Sequence, residues 1–115
     1  MPLVDVPYAS RVEDRVQRLA EALPHAVAAA VACPEEPYDG SLQSGDVEVR
    51  FRPQSPHDLC GLDIVVEIRS KWFASRDRTR QDRCDQLCAT IVEAAGTPSV
   101  GVYLSLPVAA WAQGE

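Results

Sequence analysis

The chain has 115 residues, 46% hydrophobic and 24% charged, the proportions of one domain with its own core and not of a disordered segment. Its net charge of −6 excludes the usual nucleic-acid or anionic-membrane binder, which needs an excess of Lys and Arg. No apolar run approaches the length of a membrane span and no basic, signal-like N-terminus is visible, so the sequence predicts a cytoplasmic protein. The positive charge is ten Arg against one Lys, Lys71. Arg presents a flat fork suited to a carboxylate, although a GC-rich genome would give the same balance. The four Cys (Cys33, Cys60, Cys84, Cys88) have no CxxC spacing and read as free, buried thiols. His25 and His57 stand far apart, so no metal site is expected.

In chain order, Leu3 to Tyr8 alternates as a first strand, with Pro7 toward an edge or end. Ser10 and Glu13 have capping-box spacing, and Val12, Val16, Leu19, Ala20, Leu23, Val27, Ala30 and Val31 follow at helical period. Pro24 predicts a kink or a restart in that helix, and Cys33-Pro34 ends it. The loop from Pro34 to Gly45 leads to a second strand over Asp46 to Arg52. There Val47, Val49 and Phe51 face inward while Glu48, Arg50 and Arg52 face outward. Leu62 to Arg69 is more uniformly apolar, which suggests a central strand. After Lys71-Trp72-Phe73, a second helix starts between Ser75 and Thr79. Its apolar face is Cys84, Leu87, Cys88, Ile91, Val92 and Ala95, with a stop at Gly96 and Pro98. Val100 to Leu106 forms a fourth strand, and the tail carries Trp111.

The order β-α-β, β-α-β reads as a single α+β domain over residues 1–115, built from a duplicated β-α-β unit with pseudo-repeats at 2–58 and 61–115. Right-handed crossovers make the strands within each unit parallel, giving a four-stranded mixed sheet with two helices on one face. The opposite face is left uncovered, and burial by another subunit is expected there.

The N-terminus suggests chemistry. Pro2 is small enough for the initiator Met1 to be removed, which would expose a secondary amine at the head of the first strand. An α-amino group titrates at about 7.7–8.0. Burial and neighbouring positive charge both lower that value, toward the range useful to a general base. Arg11 would sit at the other end of the strand, in a first helical turn whose dipole does not favour it.

Met-Pro2, the Ser10-Arg11 loop, the second-strand arginines and the tail Leu106-Pro107-Val108-Ala109-Ala110-Trp111, in a β-α-β-β-α-β chain of this length, resemble the tautomerase superfamily. That group includes 4-oxalocrotonate tautomerase, 5-carboxymethyl-2-hydroxymuconate isomerase and macrophage migration inhibitory factor. The resemblance implies a cofactor-free keto-enol tautomerase or isomerase of an unsaturated 2-oxo (2-hydroxy-dienoic) acid. It further implies a homotrimer with sites at subunit interfaces. Residue by residue, it makes Pro2 the base, with Arg11 and Arg50 completing the catalytic set. Arg52, Tyr103 and Trp111 would line the substrate site, and either Arg50 or Arg52 would be the carboxylate ligand. The second unit lacks an N-terminal proline, so one site per subunit is expected. The second-strand arginine of the family can also be aligned onto Glu48, which would alter the carboxylate site. Alternatives are a hydratase, dehalogenase or decarboxylase of the same superfamily, a catalytically silent pseudo-tautomerase subunit, or a non-enzymatic α+β binding module using Arg50 and Arg52.

Overall fold

The computed structural model describes residues 2–35 and 43–114. Met1, Glu115 and the middle of the loop read between Pro34 and Gly45 lie outside the described residues. The strands are β1 (Leu3–Tyr8), β2 (Glu48–Pro53), β3 (Ile64–Arg69) and β4 (Val100–Ser105). They form one sheet in the order β2-β1-β3-β4. β1 runs parallel to β2, β3 runs parallel to β4, and β1 and β3 pair antiparallel. The α+β architecture is as expected, with β3 in an interior position.

Strand alternation decides which residues meet the helices. Val4, Val6 and Tyr8 of β1 and Ile64, Val66 and Ile68 of β3 are buried on one face of the sheet. Against them lie Leu19, Leu23, Val27 and Val31 of α1 (Val16–Val31) and Leu87, Ile91 and Ala95 of α3 (Arg80–Ala95). Both long helices therefore cover the same face. Each large aliphatic side chain withdrawn from water there is worth about 1.5–3 kcal/mol of transfer free energy.

The first helix departs from expectation at its start and not at Pro24. Residues Ser10–Arg15 form a 3-10 segment, irregular at Val12, with Ala9 as N-cap and no side-chain cap. The Ser10/Glu13 capping box is not made; the Glu13 carboxylate instead lies near the Tyr8 hydroxyl and holds the Tyr8 pKa up. α1 then runs unbroken through Pro24. Its stripe of Leu19, Leu23, Val27 and Val31, each 0% exposed, outweighs the one backbone bond the proline removes. The second helix is divided at Thr79 into α2 (Ala74–Arg78) and α3, and Gly96 ends α3 with φ 69°. Such a φ costs an L-residue with a Cβ about 1–2 kcal/mol.

The other face of the sheet carries more charge than apolar surface. Register places Glu48, Leu3, Arg69 and Ser105 in one row and Arg50, Asp5, Glu67 and Tyr103 in the next. Asp5 is flanked by Arg69 at 3.2 Å and Arg52 at 3.7 Å, and Arg50 pairs with Glu48. The thiols also differ from expectation: Cys33 is buried, Cys84 and Cys88 are half-buried, and Cys60 is exposed.

Candidate active site at the head of β1

Pro2 is buried. Its carbonyl accepts the Glu48 N–H at 3.1 Å, which ties it to the start of β2. On the other side, Leu3 pairs with Arg69, so Pro2 stands beside Ser70 and its nitrogen points along the strand toward the level of Lys71. β3 keeps its pairing past its formal end: Ser70 N–H donates to Ser105 C=O at 3.1 Å and Trp72 N–H to Pro107 C=O at 2.9 Å. That two-residue step is a parallel ladder. It brings the linker of Lys71, Trp72 and Phe73 together with the start of the tail, at the same end of the sheet as Pro2. Trp72 is 42% exposed and Trp111 48%.

The other sequence candidates spread over the molecule. Arg50 aligns with Asp5, three residues down the strand from Pro2, or about 10 Å at the usual rise. Arg52 aligns with Pro7, further away, and Tyr103, 69% exposed, stands level with Glu67 in mid-sheet. Arg11 lies beyond the opposite end of β1, paired with Asp63. Within one copy, Pro2 stands at one end of the sheet, Arg50 and Tyr103 in its middle, and Arg52 and Arg11 at the other end, while Trp111 lies in the irregular tail four residues beyond Pro107. Each of the three candidate arginines has a carboxylate beside it: Asp63, Glu48 and Asp5 respectively for Arg11, Arg50 and Arg52.

Two residues near Pro2 escaped the sequence reading. Arg76 is 0% exposed; its Nε donates to Val31 C=O at 2.7 Å, and its Nη1 to Ser70 Oγ at 3.0 Å and Lys71 C=O at 2.6 Å. It welds the end of α1 to the end of β3 behind Pro2. The rhyme between Ser10-Arg11 and Ser75-Arg76 gave no warning, because one arginine is exposed and the other enclosed. Lys71 is exposed, with Nζ 5.7 Å from the centre of the Phe73 ring. Its one signal in the sequence was being the only lysine.

A separate cavity of about 260 Å³ is lined by Asp14, Arg15 and Arg18, away from Pro2. Arg15 donates there to the carbonyls of Ala95 and Gly96, each at 2.8 Å, and so serves as a side-chain cap on α3. Among the described residues, no group of three or more His, Cys, Asp or Glu could hold a metal ion, and no helix is long and apolar enough to cross a membrane.

No family model and no curated protein matches the sequence. Solved structures do match its fold. Malonate semialdehyde decarboxylase superposes with a TM-score of 0.68 at 16% identity, over 98% of this chain and 91% of that one. Leishmania major MIF2 gives 0.59 at 16% identity, over 96% and 93%. A fused 4-OT symmetric trimer gives 0.60 at 15% identity, over 91% and 85%. The chain has the fold of the tautomerase superfamily, as the sequence resemblance implied.

Proposed function

We propose that this chain is a cofactor-free tautomerase or isomerase of an unsaturated 2-oxo (2-hydroxy-dienoic) acid, with the Pro2 amine as general base once Met1 is removed. One observation carries the reading. Pro2 is buried at the head of an interior strand and held there by Glu48 N–H, in a fold shared with a decarboxylase, a 4-OT trimer and MIF-type proteins. A buried amine is disfavoured in its charged form. In this scheme it takes a proton from the enol hydroxyl or an acidic C–H of the substrate and returns it at another carbon. Negative charge develops on the 2-oxygen meanwhile, and Arg11 and Arg50 would balance it and the carboxylate, with Arg52, Tyr103 and Trp111 lining the site.

Arg11 and Arg52 lie at the far end of their own sheet, so they would serve the Pro2 of a neighbouring copy in a homotrimer. Their ion pairs are exposed on the arginine side, and such pairs contribute about 0–1 kcal/mol. A substrate carboxylate could displace them. Glu48, next to Pro2 through its backbone, supports a second reading: hydration or decarboxylation, with a carboxylate activating water.

The test is ketonisation of phenylenolpyruvate by untagged protein and by Pro2→Ala, with intact mass establishing the N-terminus of each. A loss of about 10²-fold or more in Pro2→Ala supports the base. Equal activity of the two proteins rejects it.

A further inference from the structure

We propose that Cys84 and Cys88 form a two-thiolate site for a soft monovalent cation of the Cu(I) class, on the helix-covered side of the sheet and apart from Pro2.

Both residues lie on α3, four positions apart. Leu87, Ile91 and Ala95 make the buried stripe of that helix, and the two thiols sit on its margin, each half-buried. Cys84 Sγ donates to Val102 C=O at 3.4 Å, which places it over the middle of β4, short of the end of the sheet where Pro2 stands. Burial pushes the Cys84 thiol up, and Asp85 and Cys88 add to that shift, Cys88 as the neighbour one helical turn on.

The spacing separates two kinds of sulfur chemistry. Helix residues four apart hold their Cβ atoms about 5–6 Å from each other. A disulfide needs about 3.5–4.5 Å, so a regular α3 keeps the pair as thiols. A bridging metal fits better. With metal–sulfur bonds of about 2.3 Å, a linear S–metal–S unit spans about 4.6 Å. A structural zinc ion asks for four ligands. Among the described residues, no group of three or more His, Cys, Asp or Glu could hold a metal ion. Asp85, between the thiols in sequence, has its carboxylate engaged by Gln81 Nε2 at 2.8 Å. Two thiolates by themselves match a two-coordinate d10 ion, and soft thiolates select Cu(I). Binding is an exchange without redox: two Cu–S bonds form, two S–H bonds break, and two protons leave to solvent. The product is a bis-thiolate of net charge −1, with copper still Cu(I).

The experiment is an anaerobic competition of the untagged protein against bicinchoninate for Cu(I), followed by alkylation of the native protein and location of the alkylated thiols by mass spectrometry. One Cu(I) per chain should be retained, and Cys84 and Cys88 should be protected together while the exposed Cys60 still reacts. Cys84→Ser and Cys88→Ser should each weaken retention by at least about 100-fold, since loss of an outer-shell partner alone costs about 10–100-fold. Cys60→Ser and Pro2→Ala should hold Cu(I) as the native protein does, which separates this site from the reading of Pro2 as base. Zn2+ should not be held against a chromophoric chelator. Retention undiminished in either α3 variant, protection that falls on Cys60, or Zn2+ held as firmly as Cu(I) overturns the proposal. Native protein that leaves all the Cu(I) with bicinchoninate overturns it without recourse to a variant.

Discussion

Arg76→Met removes a guanidinium and leaves most of the side-chain volume. Arg76 is fully enclosed, its guanidinium 5.2 Å from the centre of the Phe73 ring. It donates to oxygens on three segments: Val31 at the end of α1, Ser70 at the end of β3, and Lys71 in the linker. Hydrogen bonds from a charged donor are worth about 1.5–3 kcal/mol each, and bonds sharing one side chain do not add in full. Methionine donates nothing, so these acceptors lose their partner inside the protein. Leaving a buried acceptor without its donor costs about 1–3 kcal/mol, and with three acceptors sharing one donor group a total of about 3–5 kcal/mol is expected. That is a large part of the roughly 5–15 kcal/mol that holds a domain folded. At about 3–4 °C per kcal/mol for a chain of this size, the melting temperature should fall by roughly 10–20 °C. Urea unfolding followed by circular dichroism measures the loss as a lower midpoint with unchanged slope. Arg76→Lys, which keeps the charge but not the fork, should fall between the two. Arg80→Met, from an exposed pair with Asp77, should cost below about 0.5 kcal/mol. If Arg76→Met lies within about 1 kcal/mol of wild type, the arginine is not the weld described here.

Gly96→Ala should destabilise by at least about 1–2 kcal/mol. Gly96 has φ 69°, and the added Cβ would come within 2.9 Å of Arg15 Nη1, displacing the cap on α3. Gly96→Asn should cost less, since asparagine tolerates this conformation; thermal melts that rank the two the other way contradict the argument. A third prediction concerns acid. Ser75 donates its hydroxyl and its N–H to the Glu35 carboxylate, holding that carboxyl below its ordinary value of 4.5. A lowered carboxyl pKa adds stability above the unfolded-state value, and that stability disappears as pH falls through the folded-state value. The stability gap between wild type and Glu35→Gln should be full near neutrality and closed well below pH 4.5. A gap that persists in acid would point to some other origin.

What could be read from the sequence was whatever depends on periodicity. Leu3–Tyr8 has the same bounds in the structure as in the pattern, and Gly96 ends its helix as glycine before Thr97-Pro98 suggests. Burial also divides β2 as its alternation predicts, Val49 and Phe51 inward, Glu48, Arg50 and Arg52 outward. The misses arose where tertiary contacts compete with local rules. Glu13 has the spacing of a capping residue, but no side-chain cap forms and its carboxylate acts on the Tyr8 hydroxyl. Pro24 has the chemistry of a helix breaker, but the stripe on either side of it is core. Near the head of β1, the sequence pointed to Pro2, whose burial the structure shows, whereas the surroundings of Lys71 and Arg76 were not legible. Their significance lies in which oxygens and carboxylates neighbour each cation, and no one-dimensional spacing encodes that.

The strand order has a consequence for how copies meet. β2 and β4 are the two margins of the sheet, and they are unequally defended. β2 reads Glu-Val-Arg-Phe-Arg-Pro, alternately charged and closed by a residue that cannot donate a ladder bond. β4 reads Val-Gly-Val-Tyr-Leu-Ser, six residues with neither charge nor proline, the composition that invites another strand to dock. Any strand added to this sheet would therefore meet it directionally: guarded at the β2 margin, and open at the β4 margin three strands across.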